Sequence, residues 1–378
     1  MNRQATVLAE HRIFLYRLDM NTAKGKIIVG ISGGVDSAVA ALLLQRDGYD
    51  VHGVFMKNWS EDDFGGPCPW EEDQASATAV AKHLGIPLVT WNFEPEYREL
   101  VFRAMLHEYK RGRTPNPDIL CNREIKFSLF LNKALNEAPM IATGHYARTK
   151  DGRLYKAIDD NKDQSYFLAA VTGTALKQTI FPLGELKKSE VRTAAKKAGL
   201  PNWDRPDSTG ICFIGEKKMI EFLSKHMTAV SGEIALPDGT VVGKHGGLQF
   251  YTIGQRHGFS AGLDQKKLAG LVGAGKPMFV SGKNVEKNQL VIAPADKPEQ
   301  LEVKEFLASE PHWIRYACSF PWSGMAKFRY RQPDVPVTLL PQGGQIRVTC
   351  KTPQRAITPG QYAVFYNGDE CVGSAVID

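Results

Sequence analysis

Two kinds of residue in this chain of 378 could do chemistry: a turn of glycines and serines able to seat a phosphate, and cysteines able to carry sulfur. The turn is Gly30-Ile31-Ser32-Gly33-Gly34-Val35-Asp36-Ser37. Its glycines can bring backbone amides close to an anion, and Ser32 and Ser37 add hydroxyl donors at the start of a helix, where the potential is positive. The expected guest is a phosphate. A Walker loop would end in Gly-Lys-Ser/Thr, but no lysine occurs between Lys26 and Lys57, and the dinucleotide spacing G-x-G-x-x-G is missing as well.

Cys121 follows Thr114-Pro115-Asn116-Pro117-Asp118-Ile119-Leu120, inside a stretch from Lys110 to Lys126 that carries five basic and two acidic side chains. A helix N-terminus and nearby cations, here Arg123 and Lys126, depress a thiol pKa and favour thiolate. An arbitrary cysteine is more often a small buried side chain. At Cys121 the stiff prolines, the cations and the adjacent Asp118 carboxylate reverse that preference. For Cys212, in the glycine-bounded apolar run Ser208 to Gly215, the residues alone favour a core position. Cys68, Cys318, Cys350 and Cys371 match no catalytic pattern. His145, at the mouth of a strand, reads as facing ligand, with a satisfied core histidine as the other reading.

The elements that must position these groups alternate. Ile27 to Val29 reads as a buried strand and Ala38 to Gln45 as a helix with little polar surface. Val51 to Phe55 and Pro87 to Phe93 read as strands, Gln74 to Leu84 and Tyr97 to Lys110 as helices, and Met140 to Thr143 as a further strand. Such alternation predicts an α/β fold with a doubly wound parallel sheet, the phosphate turn at a strand's carboxyl end and Gly144 beside it. Pro115 and Pro117 forbid a helix through their segment, and Asn122 to Leu135 forms the next one. Lys187 to Lys197 is a basic helix with Ser189 as N-cap, its basic face either solvated or against nucleic acid. A helix from about Lys217 to His226 closes this part.

From Ser231 short β runs take over, beginning with a hairpin over Glu233 to Val242 that turns at Asp238-Gly239. Leu290 to Ala293 and the proline-bounded residues after it read as a linker. Residues 301 to 378 alternate as a closed β-barrel does. There Lys327, Arg329 and Arg331 share one strand face by their spacing, an RNA-binding pattern that an amphipathic barrel strand explains equally well. The expected domains are an N-terminal extension (1–24), a catalytic domain (25–227), a small central β-rich domain (228–292) and a C-terminal β-barrel (300–378).

The balance of 47 basic to 41 acidic residues, net +6, is compatible with a polyanionic partner and does not by itself require one. Six scattered cysteines with no C-x-x-C pair exclude a disulfide scaffold and a zinc ribbon, and point to a reducing compartment. No apolar run approaches the roughly 20 residues of a membrane span. The expectation is a soluble, cytoplasmic protein with no membrane contact and no metal site of its own. Residues 1 to 24 lack the apolar core of a secretory signal.

Ser32-Gly33-Gly34-Val35-Asp36-Ser37 resembles the PP-loop of ATP pyrophosphatases, which split ATP between its α- and β-phosphates and adenylate a substrate oxygen. Longer motifs sharpen the likeness: Thr114 to Asn122, Ala142-Thr-Gly-His-Tyr146, Asn161-Lys-Asp-Gln-Ser-Tyr-Phe-Leu168, Asp207-Ser-Thr-Gly-Ile-Cys-Phe-Ile-Gly215, Tyr251-Thr-Ile-Gly-Gln-Arg-His-Gly258 and Thr358-Pro-Gly-Gln-Tyr-Ala-Val-Phe-Tyr366. Together these resemble the bacterial tRNA-specific 2-thiouridylases from residue 25 almost to the C-terminus. The extension before Lys24 has no counterpart there.

That resemblance implies a tRNA-uridine 2-sulfurtransferase acting on the wobble uridine, U34, of the tRNAs for Lys, Glu and Gln. ATP would sit on Gly30 to Ser37, with Met56 and Gly144 as further contacts and Mg²⁺ on the polyphosphate. Cys212 would receive persulfide sulfur from a cysteine desulfurase or a sulfur-relay protein. Cys121 would be the partner thiol, forming a transient Cys121–Cys212 disulfide, and Asp118 a general base. Asn116, Pro117 and Asp118 would hold the flipped-out base. His145, Lys162, Asp163, Gln164, Arg329, Tyr330 and Gln361 would contact tRNA, and a monomer is expected. The competing readings are an amide-forming PP-loop synthetase, which needs a nitrogen source and no reactive thiols, and a non-catalytic, nucleotide-dependent tRNA-binding protein.

Overall fold

The computed structural model describes residues 24–60, 69–207 and 219–378, in two compact units. Cys68, Cys212 with its Ser208 to Gly215 run, and nearly all of the N-terminal extension lie outside the described residues. The first unit contains residues up to 98, 118–216 and 369–372; the second contains 99–117, 217–368 and 373–378.

The first unit is built on five parallel strands in the order β3-β2-β1-β4-β7, where β1 is Lys26–Gly30, β2 Asp50–Lys57, β3 Leu88–Asn92, β4 Ile141–Ala142 and β7 Thr179–Ile180. The order reverses direction at β1, so the turn after β1 lies at the switch point where open α/β sheets bind ligands. Helix Val35–Arg46 follows that turn, and its apolar residues point all round rather than to one face. The reason lies in the packing. Ala41 and Leu44 meet Ile27, Val29, Val51 and Phe55 of the sheet, while Val35, Val39 and Leu42 meet Val191, Ala195 and Leu200 on the opposite side. A helix covered on both sides keeps no polar stripe. A short hairpin, β5 (Arg148–Lys150) and β6 (Arg153–Tyr155), completes the unit, with Leu154 and Tyr155 paired to Cys371 and Glu370.

The second unit holds a four-stranded sheet in the order β10-β11-β8-β9, formed by β8 (Gly232–Ala235), β9 (Val241–His245), β10 (Met278–Asn284) and β11 (Gln289–Pro294). The expected hairpin is present as β8 and β9, with Gly239 at φ +88° in its loop. The expected linker is not: Leu290 to Ala293 forms most of β11, an inner strand whose Leu290 and Ile292 are fully buried in the core with Ile234 and Val280. A short apolar run bounded by proline has the same pattern whether it links or pairs, and here pairing with β8 and β10 decides.

Six further strands close a barrel: β12 (Glu302–Trp313), β15 (Gln345–Arg355), β14 (Val335–Gln342), β13 (Trp322–Lys327), β16 (Tyr362–Asn367) and β17 (Glu370–Ile377), with β17 pairing back to β12; all of it but residues 370–372 counts with the second unit. Closure removes the exposed edges. Because β13 ends at Lys327 and Arg331 has φ +63°, Arg329 and Arg331 do not extend its face, contrary to their alternating pattern. Helix Met219–His226 sits in this unit too, with Phe222 edge-on to Phe102.

Candidate active site

The phosphate turn is braced from within and from behind. Ser37 Oγ donates to the Gly34 carbonyl at 3.0 Å and accepts from the Ser32 amide at 3.1 Å, which ties the turn across the first turn of the helix. Gly33 adopts φ +81°, and a Cβ there would lie 2.3 Å from the Asp73 carbonyl oxygen, so glycine is required. The Gly33 carbonyl accepts from Ser76 Oγ at 2.7 Å, Asn202 Nδ2 at 2.8 Å and Arg205 Nη1 at 3.1 Å. Arg205 is itself held by Asp73 at 2.6 Å.

Gly144 lies where the sheet order predicts, so close to the loop helix that a Cβ would meet the Ser37 amide nitrogen at 2.7 Å. Met56 Cε approaches Gly30 on the other flank. The fold thus brings together Gly30 to Ser37, Met56 and Gly144.

Asp36 points into a network that its motif alone does not reveal. Lys188 Nζ donates to both its carboxylate oxygens, at 2.6 and 2.8 Å, and Tyr146 donates its hydroxyl to Oδ1 at 2.8 Å. Lys188 also reaches Asp207 at 2.7 Å, and Asp207 pairs with Lys162 at 2.5 Å and Arg192 at 2.6 Å. Burial pushes the Asp207 carboxyl up, but the hydrogen bonds and charges of Lys162 and Lys188 outweigh it and hold the group well below the usual carboxylate range. Burial, and then the Asp36 carboxylate, raise the Tyr146 phenol far above its ordinary value, so it stays protonated and donating. Three cations, Lys162, Lys188 and Arg192, therefore stand around two carboxylates beside the phosphate turn. With both carboxylates counted, the cluster keeps one net positive charge beside the turn.

Lys188, Asp207, Tyr146, Asn202 and Arg205 escape a sequence reading centred on the loop. Three of them carried a signal: Lys188 opens the basic helix, Tyr146 closes one quoted motif and Asp207 opens another. The helix Lys188–Lys197 is capped at Lys187 rather than Ser189, because Glu190 reaches back to accept from the Lys187 amide at 2.7 Å. That shift of cap puts Lys188 at the first helical position.

Pro117 begins a helix instead of preventing one. Pro117–Leu120, Cys121–Phe130 and Leu131–Ala134 run on in succession, and proline at the first helical position sacrifices only an amide that would have no intrahelical partner. Asp118 and Cys121 stand three residues apart on it, on neighbouring positions of one face. Cys121 is fully buried. Arg123 turns its charge to Glu124 at 2.6 Å. His145 sits between the rings of Phe127 and Phe181, its Nδ1 hydrogen-bonded to Thr143 Oγ1 at 2.7 Å, and burial followed by the Lys126 charge drives its pKa well below the ordinary histidine value. It is a neutral imidazole at neutral pH.

The remaining expected tRNA contacts are heavily engaged within the protein. Asp163 accepts from the Ala157 and Ser165 amides, each at 3.1 Å, and Gln164 Oε1 accepts from the Tyr146 amide at 2.9 Å. In the second unit, Arg329 Nη2 donates to the Ile253 and Ala356 carbonyls at 3.0 and 2.9 Å, and the Arg331 guanidinium lies 5.1 Å from the Tyr330 ring centroid. Gln361 Nε2 donates to the carbonyls of Thr114 and Pro115 at 2.8 and 3.1 Å. Arg329, Gln361 and the Thr252 to Gln255 part of the Tyr251 motif line a cavity of about 360 Å³.

Among the described residues no group of three or more His, Cys, Asp or Glu could hold a metal ion.

A parallel sheet whose first strand feeds a serine-and-glycine phosphate turn at the switch point defines a nucleotide-binding protein of the PP-loop class. Its matches with known proteins narrow that class. Residues 25–216 match the tRNA methyl transferase HUP domain, 220–294 the tRNA methyl transferase PRC-barrel domain and 303–377 the aminomethyltransferase beta-barrel domain. The tRNA-specific 2-thiouridylase MnmA of Halalkalibacterium halodurans is 49% identical over 93% of this chain and 94% of its own length. That of Pseudomonas putida is 49% identical over 94% and 95%. The chain belongs to the tRNA-specific 2-thiouridylase family. Among solved structures, an NMN synthetase from Francisella tularensis is similar at 20% identity and a TM-score of 0.34, over 54% of this chain and 75% of that one, too distant to carry an argument.

Proposed function

We propose that the protein uses ATP to convert C2 of the wobble uridine, U34, of tRNA to its 2-thio form, as a tRNA-uridine 2-sulfurtransferase accepting the tRNAs for Lys, Glu and Gln. What carries the reading is a braced PP-loop in a chain half identical, over nearly its whole length, to tRNA-specific 2-thiouridylases. In the first step uridine O2 attacks the α-phosphorus of ATP and pyrophosphate leaves. The amides and hydroxyls of Gly30 to Ser37 bind the phosphates, and the Lys162, Lys188 and Arg192 cations offset the charge that accumulates as the bond breaks. Mg²⁺ bound to the nucleotide would neutralise further phosphate charge.

In the second step sulfur attacks C2 and AMP leaves with the oxygen it had activated. The sulfur comes as a Cys212 persulfide, loaded by a cysteine desulfurase or relay protein. Attack by Cys121 on that persulfide releases the terminal sulfur and leaves a Cys121–Cys212 disulfide, which a reductant must reopen. Asp118 serves as general base, and Asn116 and Pro117 hold the extruded base with it. His145, Lys162, Asp163, Gln164, Arg329, Tyr330 and Gln361 belong to this reading as tRNA-proximal residues. The reducing cytoplasm is the compartment that suits reactive thiols, and a monomer suffices for the reaction.

The test is direct. Protein, ATP, Mg²⁺, sulfide and unmodified tRNA transcript should yield 2-thiouridine, seen as retarded migration in a mercury-containing gel. Pyrophosphate release without thiolation, or thiolation without ATP, would refute the reading. Cys212→Ser should abolish thiolation from a persulfide donor, and wild-type rates from that variant would remove the sulfur relay.

A further inference from the structure

The segment between helix Ala104–Lys110 and Pro117 has no regular structure of its own; its first amides bond back into that helix, and the Thr114 amide and the Gly112, Thr114 and Pro115 carbonyls are met by the barrel and the central sheet of its own unit. Lys283 Nζ donates to the Gly112 carbonyl at 2.9 Å. Arg113 donates to the Ile377 carbonyl at 2.9 Å and pairs with Asp378 at 3.2 Å. The Thr114 amide donates to the Pro359 carbonyl at 2.8 Å, and Gln361 Nε2 spans the Thr114 and Pro115 carbonyls. Gly360 has φ +91°, and a Cβ there would lie 3.0 Å from both Thr114 N and O. The barrel thus receives the segment at a close backbone approach.

We propose that Gln361, supported by Arg113 and Lys283, is a positioning residue that fixes the 112–117 segment so that Asn116 and Pro117 meet the target uridine in one conformation. A carboxamide has two N–H donors, and both are committed here. Gln361 is itself fixed, because its amide donates to the Thr358 carbonyl at 3.1 Å and its carbonyl accepts from the Ile377 amide at 2.8 Å. Lys283 is largely buried, which lowers its pKa to about 8, and protonated or neutral it retains an N–H for Gly112. Proline at 115 and 117 limits the segment's own freedom but cannot choose its direction. The direction comes from the receiving barrel.

This inference rests on the proposed assignment of Asn116 and Pro117 to the base. Gln361→Met keeps length and packing while removing both donors, and Gln361→Ala serves as a second variant. At saturating tRNA and ATP, single-turnover thiolation should fall by about tenfold, as small misplacements of a reacting group do. Whatever the variant does to tRNA affinity, the Asn116 amide should exchange faster with solvent in the tRNA-free protein. Arg113→Ala should behave alike, the double variant should lose less than the product of the two, and Arg113→Lys should recover part of the rate. A Gln361→Met protein that thiolates normally once saturated with tRNA would overturn the proposal, since the side chain would then serve tRNA binding alone. So would unchanged exchange at Asn116. A wild-type protein that makes no 2-thiouridine would sink the functional reading alone, because the exchange measurement still decides this one.

Discussion

At the scale of single residues, the phosphate turn depends on a carbonyl aimed away from the ligand. Gly33 O collects donors from Ser76, Asn202 and Arg205, which fixes the orientation of the Gly33–Gly34 peptide, whose amide turns toward Ser32 Oγ at 3.4 Å. Asn202→Ala removes one donor and should cost about 1 kcal/mol of stability. Its larger effect should be a several-fold rise in the ATP KM for pyrophosphate release. An unchanged KM would show that two donors suffice. Gly144→Ala places a methyl group against the Ser37 amide nitrogen, backbone that cannot step aside, and should abolish pyrophosphate release while the protein remains folded by circular dichroism. Asp36→Ala leaves Lys188 to Asp207 alone and takes the acceptor from the Tyr146 hydroxyl, and it should do the same. The glycines and serines of this turn were legible in the sequence because each has a local reason to be there. Asn202 and Arg205 were not, since they reach Gly33 across 169 and 172 residues of chain and no local pattern encodes that approach.

At the scale of elements, helix Lys188–Lys197 brings its first residue to Asp36 and Asp207, so the basic helix is tied to the phosphate turn by charge as well as by Val191 and Ala195 in the core. The linkage has a definite sign. Because the Asp207 carboxyl is held below its unfolded value near 3.8, its stabilisation is fully present above that pH and disappears only as the pH falls through the depressed folded value. Acid unfolding of Asp207→Asn, followed by fluorescence, should therefore show a flatter decline below pH 4 than wild type, with the two curves parallel above pH 5. Equal slopes in acid would mean that the pairing adds nothing to the fold. Strand-to-helix alternation was legible in the sequence because a buried parallel sheet leaves apolar runs of strand length. Ends and caps were harder to read: Lys327, Arg329 and Arg331 alternate as strand residues do, but Arg331 takes a left-handed conformation, and that turn ends the face.

At the scale of the whole molecule, order along the chain and membership of a compact unit do not coincide. Residues 99–117 belong to the unit that carries the barrel, whereas residues 369–372, near the end of the sequence, belong to the nucleotide unit. In that unit Glu370 and Cys371 pair with Tyr155 and Leu154, Arg148 meets Asp369 at 3.3 Å, and Arg153 meets Glu370 at 3.3 Å. The charges there are partly exposed and contribute little. The backbone pairing and the fully covered Cys371 matter more, because removing them uncovers β6 and its buried Leu154. A chain stopped at residue 368 should therefore destabilise the nucleotide unit as well as open the barrel, with ATP protecting it less against thermal unfolding. A loss of 1 kcal/mol from a unit of this size lowers Tm by about 2–4 °C, and burial lost with Cys371 and Leu154 should exceed that. A truncated chain whose nucleotide unit melts at the wild-type temperature would show that residues 369–372 are passengers there, and that the unit's stability resides wholly in the sheet and the helices around β1.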